Sequence, residues 1–343
     1  MQKNTRIAYE RFTARLAQLS GVADATKTFT VDPSVQQTLE TKIQESSEFL
    51  GKINIIGVTE LEGEALGLGI SGPVASRTNT ANAERSTRDL TGLESKRYRC
   101  EKTNYDTHIP YAKLDAWAKF PDFQPRIRDV IVKRQALDRM MIGFHGTHVA
   151  ADTNIVNYPM LQDVNIGWLQ HMRDKAPARV MKEGAAANKV VIGTGGDYVN
   201  LDAVVYDALT LLDPWYQQDT GLVVLLGRGL MHDKYFPLVN TNHRPSDTLS
   251  ADIIISQRRV GNLPAATVPY FPDNTVLITR YDNLSIYWQE GARRRHIKEK
   301  PERDRIENYE SSNDAYVVED FGLAAMIENI EFAGPVQEPE GEE

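Results

Sequence analysis

An α+β fold is the class this sequence predicts, and three observations carry it. Residues 122 to 146, "DFQPRIRDVIVKRQALDRMMIGFHG", read as one long amphipathic helix. Residues 60 to 110 read instead as two strands around a polar tip, with no helical periodicity. Residues 190 to 300 alternate short apolar runs with helical segments, as in an α/β unit. The 343 residues suffice for two or three domains. A hydrophobic share of 41% and a charged share of 25% are those of a globular protein. The net charge of −8 runs against a general nucleic-acid-binding surface. A single cysteine, Cys100, excludes an internal disulfide and a cysteine metal cluster, and fits a reducing, intracellular origin. No apolar run reaches the roughly 18 residues of a membrane span, and the first twenty residues lack the apolar core of a signal peptide.

The elements follow in order. "NTRIAYERFTARLAQLSG" sets Ile7, Phe12, Leu16 and Leu19 near one helical face, with Arg6, Arg11 and Arg15 between them. Two readings stand: a helix docked on its own domain, or a detachable partner-binding segment. "KTFTVDP" is expected to be extended and accessible. Asp32–Pro33 supplies a cap and a first-turn proline for a second helix, with Val35, Leu39, Ile43 and Leu50 as its stripe. The chain turns extended at Ile53.

Next comes the arm. "EALGLGISGPVAS" and "KRYRCEKTNYDTHIPY" alternate, the latter with Tyr98, Cys100, Lys102, Asn104 and Asp106 on one parity. Two strands alone cannot bury a core, so the hairpin is either a surface loop or an arm that packs on a neighbour. In the long helix, Asp122 can cap and Pro125 fits the first turn. Ile127, Val130, Ile131, Leu137, Met141 and Phe144 form the stripe, Arg126, Arg128, Asp129, Lys133, Arg134, Asp138 and Arg139 the charged remainder, and Gly143 and Gly146 offer stops. Its roughly 20 residues make a rod of about 30 Å. Residues 145 to 163 read as irregular, 164 to 181 as a helix broken at Pro177, and 182 to 189 as a loop tip.

Within the α/β unit, "VVI", "LVVLLG" and "ADIIIS" are strands, and "NLDAVVYDALTLL" and "GLMHDKYFPLVN" helices. "TVLITRYDNLSIYWQ" reads as a hairpin around Asp282–Asn283, and Ser311 to Asp314 as a turn between the last strands. The tail "GPVQEPEGEE" is acidic and expected to be disordered.

Three places could carry chemistry, and each is weak. "VVIGTGGDYVNLDAVV" has the order strand, glycine turn, helix, but it lacks the third glycine of a dinucleotide fingerprint, and no phosphate-loop motif exists in the chain. Gly193, Gly195 and Gly196 are therefore expected to shape backbone. His145, His148 and Asp152 in "HGTHVAAD" lack the spacing of a metal-binding helix. Cys100 has no flanking histidine, and there is no G-x-S-x-G. The expectation is no catalytic residue, no cofactor and no metal.

The stretches "QESSEFL", "DAWAKFPDFQPRIRDVIVKRQALD", "PMLQDVNIGWLQ", "APARVM", "GGDY", "PWYQ", "DKYFP", "IISQRRVGNLPA", "VPYFP" and "ENYESSNDAYVVEDF" occur in that order over roughly residues 28 to 333. Together they resemble the major capsid proteins of tailed bacteriophages with the HK97-like fold, in particular the P-two-like group of contractile-tailed temperate phages. The resemblance implies a cleavable, scaffold-interacting segment 1–29, an N-arm 30–59 and an extended loop 60–112. It further implies a peripheral domain 113–197 with a spine helix 123–144, an axial domain 198–302, a return to the peripheral domain at 303–333 and a tail 334–343. It also implies maturation cleavage near Phe29–Thr30, in the segment facing the interior of the precursor shell.

By the same resemblance the chain is a structural, non-enzymatic subunit. It self-assembles in the host cytoplasm as pentamers and hexamers into an icosahedral virion head enclosing double-stranded DNA without sequence-specific binding. Its other partners would be an internal scaffold or protease protein and a portal protein, with no membrane. The arm tip carries Arg77, Glu84, Arg85, Arg88 and Asp89, which are expected to contact a neighbouring subunit. No lysine lies between Lys52 and Lys96, so the lysine amide weld of some relatives is not expected and the shell should be non-covalent. A net negative subunit would not adhere to packed phosphate. Two rivals stand beside this reading: an encapsulin-like compartment enclosing protein cargo, and a cytosolic α/β nucleotide-dependent enzyme using Gly193 to Gly196.

Overall fold

The computed structural model describes residues 1–19, 22–70, 75, 77–80, 82, 84–85, 91–117, 123–240 and 258–333. The cap at Asp122, the strand at 251–256 and the tail 334–343 lie outside the described residues. The helices are α1 (Lys3–Leu19), α2 (Pro33–Glu45), α3 (Tyr111–Trp117), α4 (Phe123–His145), α5 (Trp168–Lys175), α6 (Leu201–Ala208) and α7 (Arg228–Asn240). The strands begin with β1 (Phe29–Thr30), β2 (Asn54–Val58), β3 (Glu62–Ile70), β4 (Thr91–Arg99), β5 (Glu101–Asn104), β6 (Thr107–Pro110), β7 (Val180–Met181), β8 (Val190–Ile192) and β9 (Val223–Leu226). They continue with β10 (Arg259–Val260), β11 (Leu263–Thr267), β12 (Val276–Thr279), β13 (Leu284–Gln289), β14 (Arg294–Lys300), β15 (Arg305–Val318), β16 (Ala325–Ile327) and β17 (Ile330–Phe332).

Contacts divide the chain into two units. The first comprises Met1–Gly63, Arg99–Gln170 and Leu284–Val317; the second takes in the described residues of Glu64–Tyr98, His171–Asn283 and Val318–Glu343.

The first unit is built on a sheet of order β1-β14-β15-β13-β2, with β5 and β6 also pairing with β15. The turn expected at Ser311 to Asp314 is absent, because β15 runs straight through it for 14 residues. Ser311 to Asp314 pair with Asn104 to Glu101 of β5, and the Ser312 hydroxyl donates to Asp314 at 2.9 Å. Polar residues that would break a strand in water are satisfied here inside the unit. The parity expected after Tyr98 also changes. The strand breaks at Cys100, so Cys100, Thr103 and Tyr105 are buried while Lys102, Asn104 and Asp106 are exposed.

Asp32 caps α2 by accepting from the Ser34 amide at 2.9 Å, and Pro33 opens the first turn. Helix α4 does not stop at Gly143. Any side chain there would meet the Trp168 ring, 2.3 Å from an added Cβ, so glycine admits the indole against the helix. Trp168 is fully buried, donates from Nε1 to the Ser285 carbonyl at 3.0 Å, and packs edge-on against Phe144 and Tyr316 with ring centroids 5.2 Å apart in both cases. The charged rod is also a partial correction. Val130 is 65% exposed, whereas the stretch from Arg139 to Phe144 is buried all round.

The second unit holds a sheet of order β10-β11-β9-β12-β16-β7. Every residue of β9 and β12 is buried, as expected of central strands that read as unbroken apolar runs. Leu201, Val204, Val205 and Ala208 of α6 join Val224, Leu226, Val276 and Ile278 in one core. The hairpin expected around Asp282–Asn283 is not formed, since β12 and β13 belong to different sheets. Buried Asn283 donates to the Thr279 hydroxyl at 3.0 Å and the Asp320 carbonyl at 2.8 Å, so its side chain ties the turn to Asp320 rather than tightening a two-strand loop.

Candidate assembly surface

Helix α1 docks on the first unit. Tyr9 is buried against Leu114, Ile127, Ile297 and Ile306, with Phe12 and Leu16 partly buried beside it. The face is thus Thr5, Tyr9, Phe12 and Leu16, at helical spacings of four, three and four. Ile7, two residues from Tyr9 and so on the opposite side, is 41% exposed. The N-terminal turn is tied by the Thr5 hydroxyl donating to Asp115 at 2.5 Å and the Gln2 amide donating to the same oxygen at 2.9 Å. Arg6 forks onto Glu299 at 2.9 and 3.2 Å, and the Tyr111 hydroxyl donates to Glu299 at 2.7 Å. Burial pushes the Tyr111 hydroxyl up to about 12, helped by that bond.

Phe29 and Thr30 form β1, paired with Arg295 and Arg294. The segment is extended, as expected, but only half accessible. Phe29 is buried with Ala17, Ala25 and Val31, while Thr30 is exposed. Strand pairing turns alternate side chains to opposite faces, and sequence cannot say which face is covered.

Strands β3 and β4 form a two-stranded sheet of their own. Arg97 and Glu64 approach to 3.9 Å across it. Arg77, Glu84 and Arg85 are exposed between the strands; Arg88 and Asp89 lie outside the described residues.

A buried polar network ties α2, α4 and β15 to Arg293, just before β14. Arg139 donates to both oxygens of Glu40 and to Asp314, the latter at 3.2 and 3.3 Å. Arg293 donates to Glu40 at 2.7 Å, to Glu310 at 2.8 Å from Nε and to the Gln135 side-chain oxygen at 3.0 Å. All six side chains are buried. Burial pushes the Glu310 carboxyl up, but Arg293 and Arg295 outweigh it and hold it at about 2. Burial opposes ionisation of Glu40 too, and Arg139 and Arg293 keep it below its ordinary value. Sequence reasoning missed this network by assigning Arg139 to a solvent face and Asp314 to a turn. The available signal was that Val132, Gln135, Arg139 and Ile142 share one face by spacing, a polar pair set within an apolar stripe.

The other sequence candidates do not converge. In the glycine turn Gly193 (φ 129°) and Gly195 (φ 79°) occupy backbone that disfavours side chains. Its amides are turned inward: Gly193 donates to the Tyr198 carbonyl at 2.8 Å and Gly196 to the Gly193 carbonyl at 3.0 Å. Asp197 adds a carboxylate that accepts from the Ala185 and Val191 amides. His148 packs edge-on against Tyr158 at 5.2 Å, and Asp152 is exposed. Among the described residues no three His, Cys, Asp or Glu side chains are grouped to hold a metal ion. Burial pushes the Cys100 thiol up to about 12, the reverse of a reactive cysteine.

The profile described as phage major capsid protein, P2 family, matches residues 8–330. The capsid protein of Escherichia phage P2 is 49% identical over 340 residues, spanning 96% of this chain and 95% of that one. The major capsid protein of Serratia phage KSP20 is 42% identical over 346 residues, spanning 98% and 99%. Among solved structures, a chain of the satellite phage P4 procapsid with its size-determination protein matches with a TM-score of 0.81 and 47% identity, over 97% of this chain and 99% of that one. A capsid chain of an empty GTA particle, at 14% identity and a TM-score of 0.50 over 83% and 90%, shares the fold alone. Neither the cargo compartment nor the nucleotide enzyme is favoured by these matches. A shared profile, close relatives over almost the full length and a common α+β capsid fold together mean that the chain belongs to the P2 family of phage major capsid proteins.

Proposed function

We propose that the chain is the repeating, non-catalytic subunit of an icosahedral phage head with the HK97-like fold. Its copies contact as pentamers and hexamers around packaged double-stranded DNA, with an internal scaffold or protease and a portal as further partners. The observation that carries the reading is the similarity, along 97% of the chain, to a subunit of a procapsid. In this reading residues 113–197, with the spine helix 123–144, and residues 303–333 form the peripheral domain, residues 198–302 the axial domain and residues 60–112 the extended loop. Electron microscopy of the purified chain assembled with its scaffold tests it: closed, regular shells are expected, and only monomers or small oligomers under all conditions would refute it.

Within the same reading, residues 1–29 are the scaffold-interacting segment, removed near Phe29–Thr30. Burial of Phe29 supports a refinement: β1 must lift from β14 before a protease can reach that bond. Intact mass of subunits from DNA-filled heads tests removal, and full-length chains alone would count against it. For the arm, the exposed Arg77, Glu84 and Arg85, with Arg88 and Asp89, are proposed to pair with charges on an adjacent subunit. Exposed ion pairs are worth at most about 1 kcal/mol each, but the contact repeats at every subunit boundary. Replacing Gly72 to Gly92 by a short turn should leave a folded subunit by circular dichroism that no longer sediments as stable shells.

A further inference from the structure

Beyond the arm and the N-terminal segment, one connection gathers several exposed apolar side chains. After α4 the chain makes a knuckle, residues 147–161, with no helix or strand. It exposes Val149 by 43%, Ile155 by 61%, Val156 by 86% and Met160 by 36%. Apart from His148, Asp152 is its only ionisable side chain with a charge at neutral pH. Apolar groups this exposed on a floppy loop would collapse inward or be ordered only on binding. This loop is held open from within. The Thr147 and Ala150 amides donate to the Gln162 and Asp163 carbonyls at 2.7 and 2.9 Å. Buried Asp163 accepts from the Asn154 amide at 2.6 Å, and the Asn154 side chain accepts from the Val156 and Asn157 amides at 3.1 Å each. Just beyond the knuckle, buried Asn165 donates to the Asp314 carbonyl at 2.8 Å, fastening its base to β15 beside the buried charge network.

We infer that this rigid apolar knuckle is an interface between copies of the chain, covered in the assembled shell by a second copy. A preorganised apolar surface loses little conformational freedom on docking, and exposed apolar side chains gathered in one loop favour a protein contact over bare solvent. The near absence of charge speaks against phosphate as the occupant, because nucleic-acid surfaces are lined by cations. On the proposed function each subunit of the shell is bordered by copies of the same chain, which makes a second copy the favoured occupant; the similar chain at 47% identity comes from a procapsid that also includes a size-determination protein. Permanent interfaces between identical subunits are also the apolar ones.

The test uses the full chain under conditions in which it forms shells. The double variant Ile155→Asp, Val156→Asp should keep the parent's circular dichroism and melting, since both side chains face solvent, and lose sedimenting shells at least tenfold. Shells at the parent's yield would overturn the inference. A second measurement stands apart from folding. With Cys100 buried, Val156→Cys offers one accessible thiol for a photo-cross-linker. Shells assembled from equal amounts of heavy- and light-isotope chains should give cross-linked peptide pairs of mixed isotope. Cross-links found only within one chain, or only to another protein, would refute a second copy as the occupant.

Discussion

Helices α1 and α2 belong to the same unit and follow one another in the chain, yet they are attached by opposite physics. Helix α1, 17 residues long, is held by a partly buried stripe and by polar ties at its rim; the Arg6 side chain in the Glu299 pair is 49% exposed. Helix α2, 13 residues long, sends Glu40 into the interior, where it is 1% exposed and bridges two buried arginines. Removing α1 strands no charge, because its polar partners are at the surface and water can replace it. Removing α2 would take away the carboxylate that accepts from the Nη1 groups of both Arg139 and Arg293, leaving those donors without their acceptor, and would open the core around them. If the proposed cleavage occurs, the chain can lose the first helix and not the second, and the β1 segment lies between them.

The largest effect should come from truncation. Deleting residues 1–29 is expected to leave a cooperatively folded subunit with a lowered melting temperature. Deleting residues 1–45 should abolish folding as seen by circular dichroism. Equal behaviour of the two truncations would erase the contrast.

Next comes Arg139→Met, which leaves Glu40 and Asp314 short of a buried partner. Breaking a buried ion pair from one side costs about 3–5 kcal/mol, readable in urea unfolding. The pH dependence has a definite sign. The Glu310 carboxyl is held at about 2, below its ordinary value, so its contribution is fully present above the ordinary carboxylate range near pH 4.3 and is lost as pH falls from there towards 2. Glu40 is shifted in the same direction. Acid unfolding should therefore steepen between about pH 4 and 2, and Glu310→Gln should flatten that limb.

Gly143→Ala sharpens the comparison from the helix that both partners touch. The added methyl meets the Trp168 indole, and overpacking of a filled core costs about 1–3 kcal/mol. A stabilised variant would mean that the indole can move aside. The smallest effect is expected from Arg6→Ala, a barely measurable loss for an exposed pair, reduced further by salt. A loss comparable to that of Arg139→Met would show that α1 is anchored more deeply than its exposed arginine implies.

Much of the architecture was legible because local patterns state it directly. The Asp32–Pro33 cap, the long periodic run of α4 and the unbroken apolar runs of β9 and β12 each carry their own signal. The errors share one cause. Ser311 to Asp314 look like a turn, Asp282–Asn283 like a hairpin and Arg139 like surface, because each is polar and polar residues are ordinarily outside. Each is satisfied by partners far away in sequence: Asp314 and Arg139 by each other across 175 residues, and Asn283 by Asp320 across 37.

By itself, then, the sequence determined the α+β class, the helical rod, the arm's two strands, the glycine turn and, through scattered stretches in order, the capsid family. These depend on periodicity, caps and residue identity, which are properties of neighbours along the chain. Tertiary structure alone decided that Phe29 is covered, that Tyr9 and not Ile7 faces inward, that Glu40 bridges Arg139 and Arg293, and that residues 147–161, tied by internal hydrogen bonds, expose apolar side chains. The reason is physical. Whether a polar group is buried depends on whether a partner from a distant strand or helix reaches it to offset desolvation, and that partner is chosen only when the chain has folded.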